Sequence, residues 1–131
     1  MQAEQKLASG TAASLSDYAA INETIQHYIS GGKTGNTDEM KLAFHKDATI
    51  FGYIGPDLFA GPIQGLFDWN DQNGAATELE GRVTSIDLVG SVATARIELE
   101  NWSGHRFTDF FTLLKVDGEW KIMNKVFYLH P

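Results

Sequence analysis

From Thr77 onward the chain reads as strands separated by short polar turns, with apolar residues recurring at period two. Such alternation marks strands. In the closing segment, GHRFTDFFTLLKVDGEWKIMNKVFYLHP, two long strands flank Asp117-Gly118. Both residues of that dipeptide tolerate positive φ, as a two-residue hairpin requires. Phe107, Phe111 and Leu113 fall on one face of the first strand, and Phe110 and Leu114 on the other. In the second, Trp120, Ile122, Val126 and Tyr128 oppose Met123, Phe127 and Leu129. Both faces are apolar, so the chain's helices are expected to cover one and a second copy of the protein the other. Upstream, Ala93, Ala95, Ile97 and Leu99 alternate with Thr94, Arg96, Glu98 and Glu100. Leu79, Gly81 and Val83 share a parity that Ile86 and Leu88 do not, so a bulge is expected near Thr84-Ser85. Gly90-Ser91 and Ser103-Gly104 supply the turns.

The N-terminal half changes period. Tyr18, Ile21, Ile25, Tyr28 and Ile29 recur at steps of three and four, one face of a helix. Ser14 and Asp17 are spaced as its capping box, with Ser16 as a competing cap, and Gly31-Gly32 is the expected stop. Thr37 is expected to cap a second helix running to about His45, burying Met40, Ala43 and Phe44. A strand from Ala48 to Tyr53 and a return strand from Leu58 to Ala60 follow. Pro62 opens a short third helix with Ile63, Leu66 and Phe67 on its apolar side, and residues 70–76 read as a loop. Residues 1–13 are small and polar, a frayed tail, so a single domain spans residues 14–131. Helices followed by a meander of strands imply an α+β fold, with helices on one face of a curved, mostly antiparallel sheet.

Composition narrows the function. Across 131 residues, 43% hydrophobic and 11% aromatic content can build a core with room for a pocket. Net charge is −7, and the ten Lys and Arg form no cluster, which argues against nucleic acid and against an anionic membrane surface. The absence of cysteine excludes disulfides and thiolate chemistry. The four His show no metal-binding spacing, so no metal is expected. Neither a leader-like start nor a run of roughly 20 apolar residues is present, and a cytoplasmic location is expected.

The run YISGGKTGNTDEMKLAFHKDATIFGYIG, Tyr28 to Gly55, carries a resemblance. Its helix ending in Tyr, Gly-Asn step, second helix ending in Phe and Asp47-Ala48-Thr49 strand entry resemble the ketosteroid-isomerase-like, nuclear-transport-factor-two-like superfamily. Asp117-Gly118-Glu119-Trp120-Lys121-Ile122 fits the same pattern. Phe44 to Ala48 and Asn124 to Phe127 look most like its branch called putative lumazine-binding. The resemblance implies a cone: three N-terminal helices closing over a strongly curved six-stranded sheet, with an internal pocket at the mouth and a homodimer through the outer sheet face. In the steroid isomerases a Tyr and a protonated Asp bind a developing oxyanion while a second Asp moves the proton. Tyr28 matches the first and Asp109 is the candidate for the late-strand acid. The proton-moving position falls on Gly52, so steroid isomerisation is not expected.

Each candidate has two readings. Tyr28 either donates into the pocket or is a core tyrosine satisfied by backbone. Asp109, between Phe107 and Phe111, is either an acid with a raised pKa, or the partner of Arg106, Lys125 or Arg82, or an Asp near the sheet rim. His45 either caps a helix end or faces the pocket as a base. Lys125 either covers apolar surface with its stem or points its amine into a dry pocket. Phe59, Trp69 and Trp102 either line the mouth for a small hydrophobic or aromatic ligand or fill core. The expected function is ligand binding without a cofactor. Any catalysis would be proton transfer of the isomerase, cyclase or dehydratase type, through Tyr28, His45 and Asp109. The alternative is a non-catalytic carrier or dimeric interaction module.

Overall fold

In the computed structural model the first helix, α1, spans Gln2–Thr34, and its periodic residues Ile21, Ile25, Tyr28 and Ile29 are buried. The structure describes residues 2–131, with side chains from Leu15 onward. The tail expected over residues 1–13 and the Ser14 cap fall outside those side chains. Asp17 does not cap, because the helix is already under way. Its carboxylate instead accepts hydrogen bonds from Trp120 Nε1 and Lys115 Nζ, each at 3.0 Å. Asp17 rather than Tyr18 takes the next inward position, and Tyr18 is exposed. Gly31-Gly32 does not end the helix either. The break is Gly35, at φ +75°, and the two glycines serve close approach. A Cβ on Gly31 would stand 2.6 Å from Met40 Cβ, and one on Gly32 2.6 Å from the Trp102 ring.

Helix α2 is short, Thr37–Lys41. Asn36, not Thr37, is its cap, with the Asn36 side chain accepting from the Glu39 amide at 3.1 Å. The expected run to His45 fails because the sheet captures the backbone first: the Ala43 carbonyl accepts from the Ile122 amide at 2.8 Å. Strand β1 therefore begins early, Phe44–Ile54, and β2 covers Asp57–Pro62. Pro62 closes that strand instead of opening helix α3, Gln64–Asn73, which absorbs the first part of the expected loop. Strands β3 (Glu80–Val89), β4 (Val92–Trp102), β5 (His105–Val116) and β6 (Glu119–Leu129) complete the chain.

The six strands form one open sheet in the order β2-β1-β6-β5-β4-β3. Only β1 and β6 are parallel; the other neighbours are antiparallel. Asp117 and Gly118 take φ of 52° and 81°, the positive values their hairpin needs. Register shifts set which side chains face the helices. The one between Val83 and Ser85 is the slip the parity required. A second, between Leu99 and Trp102, passes through Asn101 at φ +60° and turns Trp102 inward. A third leaves Met123 without a β5 partner. It corrects the face assignment of β6: Trp120 and Ile122 share the inner side with Lys125 and Phe127, while Val126 and Tyr128 are exposed. Among the described residues no helix is long and apolar enough to cross a bilayer.

The Asp17 contact ties α1 to the β5–β6 hairpin and makes stability depend on acid. Hydrogen bonds from Trp120 and Lys115 hold its carboxyl below the usual carboxylate value of 3.8. The folded state thus binds this proton less readily than the unfolded chain. The contribution is complete above the ordinary value and is lost as pH falls through the depressed one. Urea midpoints of Asp17→Asn should lie below wild type at pH 7, and the gap should close in acid. A gap independent of pH would contradict an ionised Asp17.

Candidate functional site

Three polar side chains from three elements meet in the core. Tyr28 arrives from α1, whose period places it beneath Ile21 and Ile25. Asp109 arrives from the inner side of β5, and Lys125 from β6 after the Met123 slip. Tyr28 Oη donates to Asp109 Oδ2 at 2.5 Å. Lys125 Nζ donates to Tyr28 Oη at 2.7 Å and lies 3.7 Å from Asp109 Oδ2. Asp109 is wholly buried and Lys125 is 5% exposed. The ammonium sits among aromatic faces, 4.7 Å from the Tyr28 ring centroid, 5.5 Å from Trp102 and 5.6 Å from Phe127. Such placement suits a cation that has left water.

Burial governs the protons. It raises the Asp109 pKa, against the opposing pull of Lys125. It lowers the Lys125 pKa, against the opposing pull of Asp109. It raises the Tyr28 hydroxyl, and the Asp109 charge raises it further. Tyr28 therefore stays protonated, while charged and neutral forms of the Asp109–Lys125 pair are drawn toward each other in energy. Among the described residues Asp109 Oδ1 and Trp102 Nε1 are buried without a hydrogen-bond partner. Atoms so placed are costly unless something meets them.

Beside the cluster lies a cavity of about 90 Å³. Lys125 and Trp102 form part of its wall, with Ile50, Leu66, Phe107 and Phe127. Phe59 and Trp69 also line it. Exposed Ile54 and His105 mark its mouth. Tyr28 and Asp109 lie behind Lys125 and do not line the cavity, so of the three polar groups only the lysine is presented to a ligand. His45 is not brought to this place. It belongs to β1, and its Nδ1 accepts from the Asp47 amide at 3.0 Å. Among the described residues no cluster of three or more His, Asp or Glu could hold a metal ion.

Gly52 explains why the proton-moving carboxylate of the steroid isomerases has no counterpart here. A Cβ at this position would stand 2.6 Å from Phe127 Cζ, so the phenyl ring occupies the space a side chain would need. Two features escaped the sequence reading. One is the direct contact of Tyr28 with Lys125. The other is Asn70, wholly buried, whose side chain donates to the Gly31 carbonyl and to Thr37 Oγ1. A lone Asn in a Gly- and Asp-rich stretch looked like loop; the helical spacing of Ile63, Leu66, Phe67 and Asn70 was the available signal.

The fold and this cluster define a small α+β domain that closes an apolar cavity with one polar knot. The chain belongs to the family described as "Putative lumazine-binding", whose profile matches residues 16–128, among nuclear-transport-factor-two-like proteins. A nuclear-transport-factor-two-like protein of unknown function from Methylobacillus flagellatus is 51% identical, with 88% of this chain and 94% of that one covered and a TM-score of 0.86. One from Shewanella baltica is 44% identical, covering 89% and 96%, with a TM-score of 0.85. The aldolase FrzH of Cladobotryum sp is 31% identical over 117 residues, 88% of this chain and 94% of that protein.

Proposed function

We propose that the protein binds a small carbonyl compound in the cavity and moves a proton at the carbon next to the carbonyl. The observation that carries this reading is Lys125, which both lines the cavity and donates to Tyr28. An apolar cavity ending in one amine, backed by a phenol and a carboxyl, suits a ligand with one polar atom on a hydrophobic body. The volume is below the ~150 Å³ that holds a benzene, so the polar head of a larger ligand would enter and the rest would leave through the mouth. The aldolase among its relatives supports chemistry next to a carbonyl. His45 has no part in the reading. Cyclohexanone in D₂O serves as a probe. Wild type should speed exchange of its α-hydrogens by NMR. Tyr28→Phe and Asp109→Asn should cut that rate by about a hundredfold, a usual share for acid–base groups, while circular dichroism stays native. Exchange unaffected by either change would end this reading.

A homodimer through the outer sheet face belongs to the same proposal. Phe51, Val126 and Phe110 stand side by side on three adjacent strands, all exposed. Tyr53 and Tyr128 form the next row. Contiguous apolar surface of this kind is a marker of association. Phe110→Glu should shift the sedimentation coefficient from dimer to monomer. A monomeric wild type at micromolar concentration would refute the dimer.

A further inference from the structure

We propose that Lys125 is the nucleophile of the site and binds aldehydes and ketones covalently, as an iminium. The inference rests on the carbonyl chemistry proposed above and adds the bond that forms. An amine attacks carbonyl carbon only when it is neutral, and exposed lysines are almost wholly charged near neutral pH. Lys125 is placed to lose its proton internally. Its ammonium donates to Tyr28 Oη, and Tyr28 Oη donates to Asp109 Oδ2, at 2.7 and 2.5 Å. If each donor passes its hydrogen one step along this chain, the ammonium becomes an amine, the carboxylate becomes a carboxylic acid, and tyrosine is unchanged. No charge is left in the core, which burial favours. The directions in which burial moves Asp109 and Lys125 agree.

The steps balance. The Lys125 lone pair forms a C–N bond to the carbonyl carbon, and the C=O π pair moves to oxygen. The nitrogen passes a proton to that oxygen, giving a carbinolamine. The acid held on Asp109 returns its proton through Tyr28 to the Lys125 nitrogen, which passes one on to the hydroxyl; that leaves as water while nitrogen forms the C=N bond. The iminium then draws electrons from the adjacent carbon, whose C–H pair becomes the C=C bond of an enamine, the C=N pair returning to nitrogen, as a water molecule entering by the cavity mouth takes the proton. Adding water reverses every step. Tyr28 and Asp109, which do not line the cavity, act through Lys125 as positioning residues. Esters and amides do not form iminium ions in this way, so the site should take aldehydes and ketones.

The probe is butanone with sodium cyanoborohydride at pH 7, which reduces an iminium to a stable secondary amine. Peptide mass mapping should find the alkyl group on Lys125 at least about tenfold above exposed lysines such as Lys46, because only a neutral amine reacts. Lys125→Met and Lys125→Arg should show no adduct there. Asp109→Asn, which removes the charge that opposes the effect of burial on Lys125, should move the pH profile of trapping to lower pH, a change that a purely structural role would not produce. No enrichment at Lys125, with cyclohexanone exchange still accelerated, overturns the covalent step and leaves the proton-transfer reading standing. Absence of both adduct and exchange overturns both.

Discussion

Asp109→Leu should be among the most destabilising single changes in this protein, lowering stability by about 3–5 kcal/mol, because the Tyr28 hydroxyl and the Lys125 nitrogen both lose a buried partner at about 1–3 kcal/mol each. Leucine copies the branched shape of aspartate, so packing changes little and the loss reports on the polar contacts. What remains is a lysine nitrogen at 5% exposure without its acid partner. Removing the rest of the cluster should undo most of the damage. Tyr28→Phe, Asp109→Leu and Lys125→Met together leave no polar group that once depended on another, and apolar replacements of buried ion pairs are often neutral or stabilising. The triple variant should therefore unfold at a clearly higher guanidinium midpoint than Asp109→Leu alone, with similar m-values. A triple variant as weak as the single would mean that the cluster is needed for packing. Recovery of stability with loss of exchange would mean that the core carries this cluster for chemistry.

Gly31→Ala should be nearly as severe for a different reason. On helix propensity alone alanine would gain about 1 kcal/mol over glycine. Here its methyl would meet Met40 Cβ at 2.6 Å and the Met40 Cα and N at 2.8 Å. Backbone cannot rotate out of the way as a side chain can, so α2 would have to retreat from α1. With an overpacking cost of about 4 kcal/mol, beyond the usual range because the clash is with backbone, the expected net loss is about 3 kcal/mol, or roughly 10 °C in Tm. The retreat should also disturb Asn70, whose side chain bridges the Gly31 carbonyl and Thr37. Thermal denaturation followed by circular dichroism reads the effect. An unchanged or raised Tm would show that α2 tolerates displacement.

These residues also show where the sequence was readable. Period fixed the inner face of α1 from Ile21 to Ile29, and the Asp117-Gly118 hairpin and the Thr84 slip followed from parity. Gly31-Gly32 was misread because glycine marks both helix ends and places where backbones touch, and only the three-dimensional neighbour decides. The Asn101 slip falls at the end of β4, with only Trp102 after it to show a change of parity, and the Met123 bulge was hidden by apolar residues on both faces of β6, which remove the contrast that reveals a slip. That second bulge turns Lys125 toward the cavity, so its direction stayed open. Tyr28 and Asp109 were singled out through a family resemblance; nothing in their spacing predicts that they touch. Placing His45 at a helix end failed because pairing with β6 outweighed the local helical pattern.

The parallel contact of β1 with β6 sets an order of events during synthesis. On the ribosome, β1 and β2 emerge early and can pair with each other at once. The other edge of β1 has no neighbour until β6, made after everything else in the sheet, has left the exit tunnel. Through that interval the nascent hairpin displays an unpaired edge, the feature that invites strands from other chains. Chaperone dependence should therefore concentrate on the time between the emergence of Ile54 and that of Leu129 from the tunnel.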